Sequence, residues 1–357
     1  MDSGEMPEEW GDLRAPDKDE IKIEVYSDEI NRVKLSVDNS IWMYLIVLFV
    51  PQEFKESNLI LLNNLRCKQY KNWNETVSTC PHQCGFHEKN DTEIHFRELH
   101  RSNARLQIAE NWITQFLIRE SCHKNRKLLY FNILGLNLSN MNLELFGDDT
   151  NRDLTIYNRF YRTALKSGLS YFFKDYRKIS IKKIYHDRGS QESHKLFPWH
   201  SIQKINIDSE KVKIEQNEIV FIDSDHRISG LKESHFIQLA DLILGAIHTC
   251  LHNPSEKDQK KEMALAFMPA LKIILDRKKS QKGDYMEGSY YKSNYYRTQQ
   301  VSFFPNKKMD VDEALSQLDV NGKILDTSIS TKREDCFYYD RPILLNSTSQ
   351  SSLTRWF

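Results

Sequence analysis

The segment from residue 233 to residue 250 is the most apolar stretch of the chain, and it contains one carboxylate. Apolar side chains cover most of the circumference of the helix that this spacing predicts: Phe236, Ile237, Leu239, Leu242, Ile243, Leu244 and Ile247. A helix that is apolar nearly all round belongs in the interior of a protein. We therefore predict that this helix is deeply buried.

The polar exceptions on this helix share one narrow face. They are separated by four, three, four and three residues, a spacing that keeps side chains in line on a helix, and they are Ser234, Gln238, Asp241, Gly245 and His248. An ionised carboxylate is costly to bury unless it is paired, hydrogen-bonded or bound to a metal. The stripe therefore predicts the wall of a site. The alternative is that Asp241 accepts hydrogen bonds from a neighbouring loop as a structural clamp.

Alternating and continuous apolar runs predict a mixed sheet of five strands, covered by helices, in the α/β class. The strands are expected at 21–28, 41–50, 128–138, 179–187 and 218–225, with the first two joined as a hairpin. Helices are expected at 51–65, 101–120, 152–176, 233–250 and 257–277. These elements define a domain over 21–278, preceded by a flexible arm at 1–20. A Cys/His-rich insertion at 66–91 interrupts the domain, and an extended tail at 279–357 follows it, which wraps the domain or docks a protein partner.

Composition limits the classes of function. The 357 residues contain 50 Lys+Arg and 50 Asp+Glu, so no overall field draws the protein to nucleic acid or to an anionic membrane. The first twenty residues lack the pattern of a signal peptide, and the apolar runs 41–50 and 236–247 fall short of the roughly 18 residues that cross a bilayer. We expect a cytoplasmic protein without membrane contact.

Acidic residues stand at the ends of several predicted strands. Asp28 ends the first strand, Asp187 the fourth, and Asp223 and Asp225 the fifth. One acid at a strand end is ordinary turn chemistry, but three such ends plus Asp241 on an apolar helix favour one shared site. Carboxylates are the ligands that Mg²⁺ and Mn²⁺ prefer, and two such ions can activate water for cleavage of a phosphodiester.

Two motifs carry a resemblance to a known family. They are SDEIN at 27–31 and QLADLILG at 238–245, with EIHF at 93–96 in addition. The chain resembles the bacterial domain of unknown function 3800 family, within the RNase H-like (retroviral-integrase-like) superfamily. The resemblance implies an RNase H-like fold in which Asp28, Asp187 and Asp241 bind Mg²⁺ or Mn²⁺. Ile30 and Asn31 replace the Ser-Gly of the family, which leaves room for an inactive member.

The resemblance leaves the fourth acid open between Glu29 and Glu93. Glu29 follows Asp28 directly, so in a regular strand it points to the opposite face. Glu93 is favoured because His95 shares its face and could assist. We further predict that Arg188, Gln238, His248 and His95 contact the substrate, a DNA or RNA.

The Cys/His-rich insertion and one aromatic helix carry weaker signals. Cys67, Cys80, Cys84 and His87 could hold a structural Zn²⁺, or the insertion could be a surface loop with free thiols. The stretch 157–178, which overlaps the predicted helix at 152–176, interleaves aromatic and basic residues. These could stack on nucleic acid bases, although a buried aromatic face with solvated cations is the more common arrangement.

The sequence thus predicts a metal-dependent nuclease, or a related phosphoryl-transfer enzyme, acting on DNA or RNA by a two-metal-ion mechanism. The alternative is a catalytically silent RNase H-like binding or assembly subunit of a bacterial defence or mobile-element system. A small-molecule phosphohydrolase is less well supported, because we find no glycine loop that would cradle a phosphate.

Overall fold

The computed structural model describes residues 18–35, 39–67, 91–123, 127–141, 143–146, 152–189, 209–216, 218–252, 257–281 and 298–304, together with residues 192, 202, 205 and 206. Most of the predicted N-terminal arm, residues 68–90 of the Cys/His-rich insertion and most of the predicted tail lie outside these ranges.

The described strands form one mixed sheet, which confirms the α/β class. They are β1 (Lys18–Lys34), β2 (Ile41–Pro51), β3 (Tyr130–Asn137), β4 (Tyr176–Asp187), β5 (Val212–Ile214), β6 (Val220–Ile222) and β7 (Gln299–Phe304). Their order is β5-β4-β1-β2-β3-β7, and β6 also pairs with β4. Strands β1, β2 and β3 form an antiparallel meander. The pairs β1–β4, β4–β5, β4–β6 and β3–β7 are parallel.

The sheet is larger than the five strands that the sequence predicts. Strand β5 has only three residues, too few to show a periodicity. Strand β7 lies in the segment that was predicted as an extended tail, and it pairs with the edge of β3. Residues 299–304, within the predicted tail, therefore belong to the sheet. The predicted fifth strand is shorter than expected because Asp225 caps a helix instead.

Helices cover both faces of the sheet. They are α1 (Lys55–Asn64), α2 (Asn103–Asn111) with a π-helical continuation (Trp112–His123), α3 (Arg152–Phe172), α4 (His226–Ser229), α5 (Ser234–His252) and α6 (Asp258–Gln281). Short 3₁₀ helices occur at Gln52–Phe54, Phe96–Arg101, Leu138–Asn140 and Leu143–Phe146. The helix predicted at 152–176 ends four residues early, because β4 already begins at Tyr176.

Strand β2 shows why helices are needed on both faces. Its side chains alternate between two buried clusters, one containing Tyr44 and Ile46 and the other Leu45 and Val47. The first cluster includes residues of α1, α2, α5 and α6, and the second includes the buried side of α3. Strand β2 is therefore buried on both faces.

Helix α5 is the central helix of the first cluster and packs against β1 and β2. By length and composition it could cross a membrane, but 94% of its apolar window is buried within the described structure. Core helices have the same composition, so the burial predicted for this segment is confirmed.

Candidate functional site

Two neighbouring parallel strands bring the first two acids together. Ser27 of β1 stands beside His186 of β4, so the next residues along the two strands, Asp28 and Asp187, are also neighbours. Parallel strands lie about 4.8 Å apart, and side chains two residues apart share a face. Two residues earlier, the rings of Tyr26 and Tyr185 stack with centroids 5.0 Å apart on the face that α5 covers. Asp28 and Asp187 therefore point to the α5 side of the sheet.

Helix α5 supplies the third acid. Asp28, Asp187 and Asp241 line one cleft of about 210 Å³. The Oδ2 atom of Asp241 accepts a hydrogen bond from the backbone N–H of Phe96 at 2.6 Å, and it lies 2.8 Å from Nδ1 of His95. The structure thus gathers the three aspartates that the sequence assigned to one site. Asp241 also accepts hydrogen bonds from a neighbouring segment, as expected if it acts as a structural clamp.

The cleft concentrates negative charge in a poorly solvated place. Asp28 is 8% exposed, and burial, followed by the charges of Asp241 and Asp187, raises its pKa well above the ordinary value. Burial and the charge of Asp241 raise the pKa of Asp187 to about 7. Within the described chain, no Lys or Arg forms an ion pair with Asp28, Asp187 or Asp241.

His95 offsets part of this charge. Burial disfavours its charged form, but the hydrogen bond and the charge of Asp241 outweigh that effect and raise its pKa to about 9. An imidazolium at this position pairs with Asp241 and fixes the orientation of that carboxylate.

The two candidates for the fourth acid lie on different sides of the sheet. The Glu29 carboxylate lies 3.7 Å from Nε2 of His186, which also contacts the hydroxyl of Tyr157 on α3. Glu93 lies on the α5 side, where its carboxylate accepts a hydrogen bond from the hydroxyl of Ser224. Both side chains line the cleft. Glu93 shares the side of the three aspartates, whereas the period-two alternation of β1 directs Glu29 away from them.

Gln238 lines the cleft and also braces the segments around it. Its Oε1 accepts hydrogen bonds from Arg66 at 2.9 Å and from the backbone N–H of Ile94 at 3.2 Å. Its Nε2 donates to the carbonyl of Ser224 at 2.6 Å. Gln238 thereby fixes the two segments that carry Glu93 and Ser224 against α5.

His248 is not among the described residues that line the cleft, and its contact with substrate stays a prediction. It is buried, with its ring edge-on to Tyr44 at a centroid distance of 5.3 Å. Seven residues of helix separate it from Asp241, which places it about 10 Å further along the axis. Between them, the ring of Phe96 covers Gly245, where an added Cβ would lie 2.2 Å from Cγ of Phe96. The contact between Gly245 and Phe96 therefore marks the end of the part of the α5 polar stripe that lines the cleft.

Arg188 stands at the mouth of the cleft. It lines the cleft next to Asp187 and is 52% exposed, with Nε 3.2 Å from the carboxylate of Glu192. Its position is compatible with the predicted contact to a phosphate, since the ion pair with Glu192 is solvated and weak.

Arg66 is a supporting residue that the sequence did not reveal. It is 1% exposed, donates to the carbonyl of Thr92 at 2.9 Å, and lies 5.0 Å above the ring of Trp112. With its bond to Gln238, the guanidinium ties the segment before Glu93 to α5. An arginine just after a helix is usually solvated, so no pattern in the sequence marks this one as buried. Asn31 and Ser224, which also line the cleft, gave no signal either.

Of the four predicted zinc ligands, only Cys67 lies within the described residues. Cys67 is buried at the end of the segment after α1, while Cys80, Cys84 and His87 lie outside the described residues. On α3, Tyr157 and Tyr161 are buried against the sheet, which matches the common arrangement rather than a stacking surface for bases.

The donor set suits a hard divalent cation. Carboxylate oxygens dominate the cleft, with one imidazole beside them, and such ligands favour Mg²⁺ or Mn²⁺ over soft metals. Among the described residues, no three Asp, Glu, His or Cys side chains already converge closely enough to hold an ion. No family model, curated protein or solved structure matches this chain.

Proposed function

We propose that the chain is a metal-dependent nuclease, or a related phosphoryl-transfer enzyme, that hydrolyses phosphodiester bonds of DNA or RNA with Mg²⁺ or Mn²⁺. One observation carries the proposal. Asp28 and Asp187 lie side by side on parallel strands and face Asp241 in one cleft, and no described Lys or Arg forms an ion pair with any of the three.

The arrangement of the sheet supports an RNase H-like core. The resemblance implies an acid on the first strand of a hairpin, a second ending the fourth strand and a third on a late helix. Strands β3-β2-β1-β4-β6 are contiguous, with β1 in the middle carrying Asp28 and β4 beside it ending at Asp187. Helix α5 carries Asp241 on the same side.

The residues of the cleft have separate tasks in this proposal. Asp28, Asp187, Asp241 and Glu93 would hold the ions, which would supply an activated water and charge stabilisation for the leaving oxygen. His95 and the N–H of Phe96 orient Asp241, and the hydroxyl of Ser224 orients Glu93. Arg188 binds a phosphate of the substrate.

A second candidate is a catalytically silent binding or assembly subunit, for example in a bacterial defence or mobile-element system. The observation that favours it is the pair of contacts already made by Oδ2 of Asp241, because a structural clamp needs no metal. Ile30 and Asn31 at the end of the SDEIN motif point the same way.

The deciding experiment compares the wild type with Asp241→Asn on a panel of single-stranded and duplex DNA and RNA in Mn²⁺. Replacing a ligand should reduce cleavage by about 100-fold or more, whereas Asp19→Asn, at a residue whose side chain is 93% exposed, should cleave like the wild type. Equal activity of the wild type and Asp241→Asn, or none from either, would count against the enzyme. Tight calorimetric binding of nucleic acid without any cleavage would favour the silent subunit.

A further inference from the structure

Two cations lie near Asp241 without lining the cleft, one on the 3₁₀ helix Phe96–Arg101 and one on the first turn of α6. Arg97 follows Phe96, the residue whose N–H is bound to Asp241. The ammonium group of Lys260 lies 5.5 Å from the ring centroid of the same Phe96. Arg97 is thus adjacent in sequence to the residue that binds Asp241, and Lys260 contacts the side chain of that residue.

Neither cation is neutralised by a neighbouring acid. Among the described residues, Arg97 and Lys260 form no ion pair with a carboxylate. The adjacent Glu98 pairs instead with Arg101 at 2.6 Å and with Arg105 at 2.8 Å. Burial, followed by the positive charge of Arg97, lowers the pKa of Lys260. The charge of Asp241 acts on Lys260 in the opposite direction, which places Lys260 within electrostatic reach of the cleft.

An acidic cleft cannot attract a polyanion by itself. Phosphates approaching Asp28, Asp187 and Asp241 are repelled, so the affinity for a nucleic acid must come from cations beside the cleft. Contacts to phosphates position a strand without reading its sequence. The chain as a whole has no net charge, which makes a local cationic surface next to the site the necessary source of binding.

We propose that Arg97 and Lys260 form a phosphate-binding rim that holds the sugar–phosphate backbone of a nucleic acid strand on the α5 side of the cleft. Arg188 contacts the strand on the β4 side. This inference rests on the proposed function and adds to it the path of the substrate: the strand crosses the acidic centre between two cationic borders. Binding through the rim is independent of sequence and weakens with salt.

The test measures binding by fluorescence anisotropy in a chelator, so that no cleavage is needed. The probes are fluorescein-labelled single strands of 20 nucleotides and duplexes of 20 base pairs, each as DNA and as RNA. The double variant Arg97→Gln/Lys260→Gln is compared with the wild type. Its matched control is Lys178→Gln/Lys182→Gln, which removes two cations of β4 that already pair with Glu20 and Glu215.

The rim variant should bind about tenfold more weakly at 0.1 M salt, and its slope of log Kobs against log salt on duplex DNA should fall by about 2. The control should keep both the affinity and the slope. Unchanged affinity and slope in the rim variant, or no binding of any probe by the wild type, would overturn the rim. Mn²⁺-dependent cleavage by the wild type, with unchanged binding by the rim variant, would reject the phosphate-binding rim and support the nuclease. Weaker binding by the rim variant, without cleavage by the wild type, would reject the nuclease and support the rim.

Discussion

The carboxylate of Asp241 serves the fold and the cleft together. Its Oδ2 is bound to Phe96 and His95, and the side chain is 19% exposed. Asp28 and Asp187 add two more acids behind it. Buried like charges lower the stability of a folded protein, and sites that keep such charges commonly do so for function. Under the proposed function, this cost in stability is retained for binding a cation.

Arg66 offers a test of the support beneath the site. Its planar guanidinium donates to Thr92 and Gln238 from different nitrogens, and a lysine ammonium cannot match this fork. We expect Arg66→Lys to lower the free energy of unfolding by about 1–3 kcal/mol in urea titrations, because a buried acceptor loses its donor. Arg177→Lys, whose side chain is 67% exposed, should change it by less than about 0.5 kcal/mol. If Arg66→Lys and Arg177→Lys change the free energy of unfolding equally, the two hydrogen bonds of the Arg66 guanidinium do not contribute to stability.

His248 predicts a dependence of stability on pH. Burial, followed by the charge of Lys260, lowers its pKa from 6.5 to about 4. Between these values the unfolded chain takes up a proton that the folded chain does not, so stability falls as pH falls through this window. Relative to His248→Gln, the wild type should lose about 2–3 kcal/mol of unfolding free energy between pH 7.5 and pH 4. The exposed His100 provides the control as His100→Gln, and a pH-independent difference for His248→Gln would contradict the prediction.

At the scale of elements, Gly245 sets how closely the 3₁₀ helix Phe96–Arg101 approaches α5. An alanine Cβ there would lie 2.2 Å from Cγ of Phe96, which is the base of the ring and cannot swing away. Alanine improves helix propensity by about 1 kcal/mol, but overpacking a core typically costs about 1–3 kcal/mol. We expect Gly245→Ala to be destabilising in thermal unfolding. Under the proposed function it should also weaken Mn²⁺ binding measured by calorimetry, because the N–H of Phe96 donates a hydrogen bond to Asp241.

Replacing Phe96 by a smaller side chain tests whether the clash with its ring causes the loss of stability in Gly245→Ala. In the background of Phe96→Leu, Gly245→Ala should cost less than in the wild type, since the flexible leucine can move aside. If the cost is the same in both backgrounds, the contact with Phe96 does not explain the requirement for glycine.

Strand β1 places two adjacent acids in different surroundings. Asp28 faces α5 and the other aspartates, while Glu29 approaches His186 and Tyr157 beneath α3. The alternation of a strand is enough to separate them. A bulge follows directly, between Ile30 and Val33.

At the scale of the molecule, β7 joins residues 299–304 to the core. Phe303 is 6% exposed and packs edge-on against Trp42 at a centroid distance of 6.2 Å, whereas Phe304 is 37% exposed. Phe303→Ala should lower the free energy of unfolding by about 3–5 kcal/mol, and Phe304→Ala should have a smaller effect. A single denaturation transition in both variants would show that β7 unfolds with the sheet. Similar small effects would mean that β7 is only loosely attached.

Much of the architecture follows from local patterns. Periodicity locates β1 to β4 and the helices α1, α2, α3, α5 and α6, because burial on one or two faces leaves a repeat in the sequence. It misses β5, which has three residues, and β7, whose pairing partner lies about 170 residues earlier in the chain. It also extends α3 into the residues where pairing with β1 begins β4.

For the site, the sequence alone determined that Asp241 would lie on a buried apolar helix and that Asp187 would end a strand. Asp28 was expected to end the first strand, but β1 continues past it to Lys34. Only the tertiary structure decided which side chains share the cleft. The register of β1 against β4 makes Asp28 and Asp187 neighbours. Hydrogen bonds of Gln238 with Arg66 and Ile94 hold the segment of Glu93 against α5. The ring of Phe96 lies between the cleft and His248. These contacts join residues that lie far apart in the chain. Local propensity and periodicity depend only on neighbouring residues, so they cannot encode such distances.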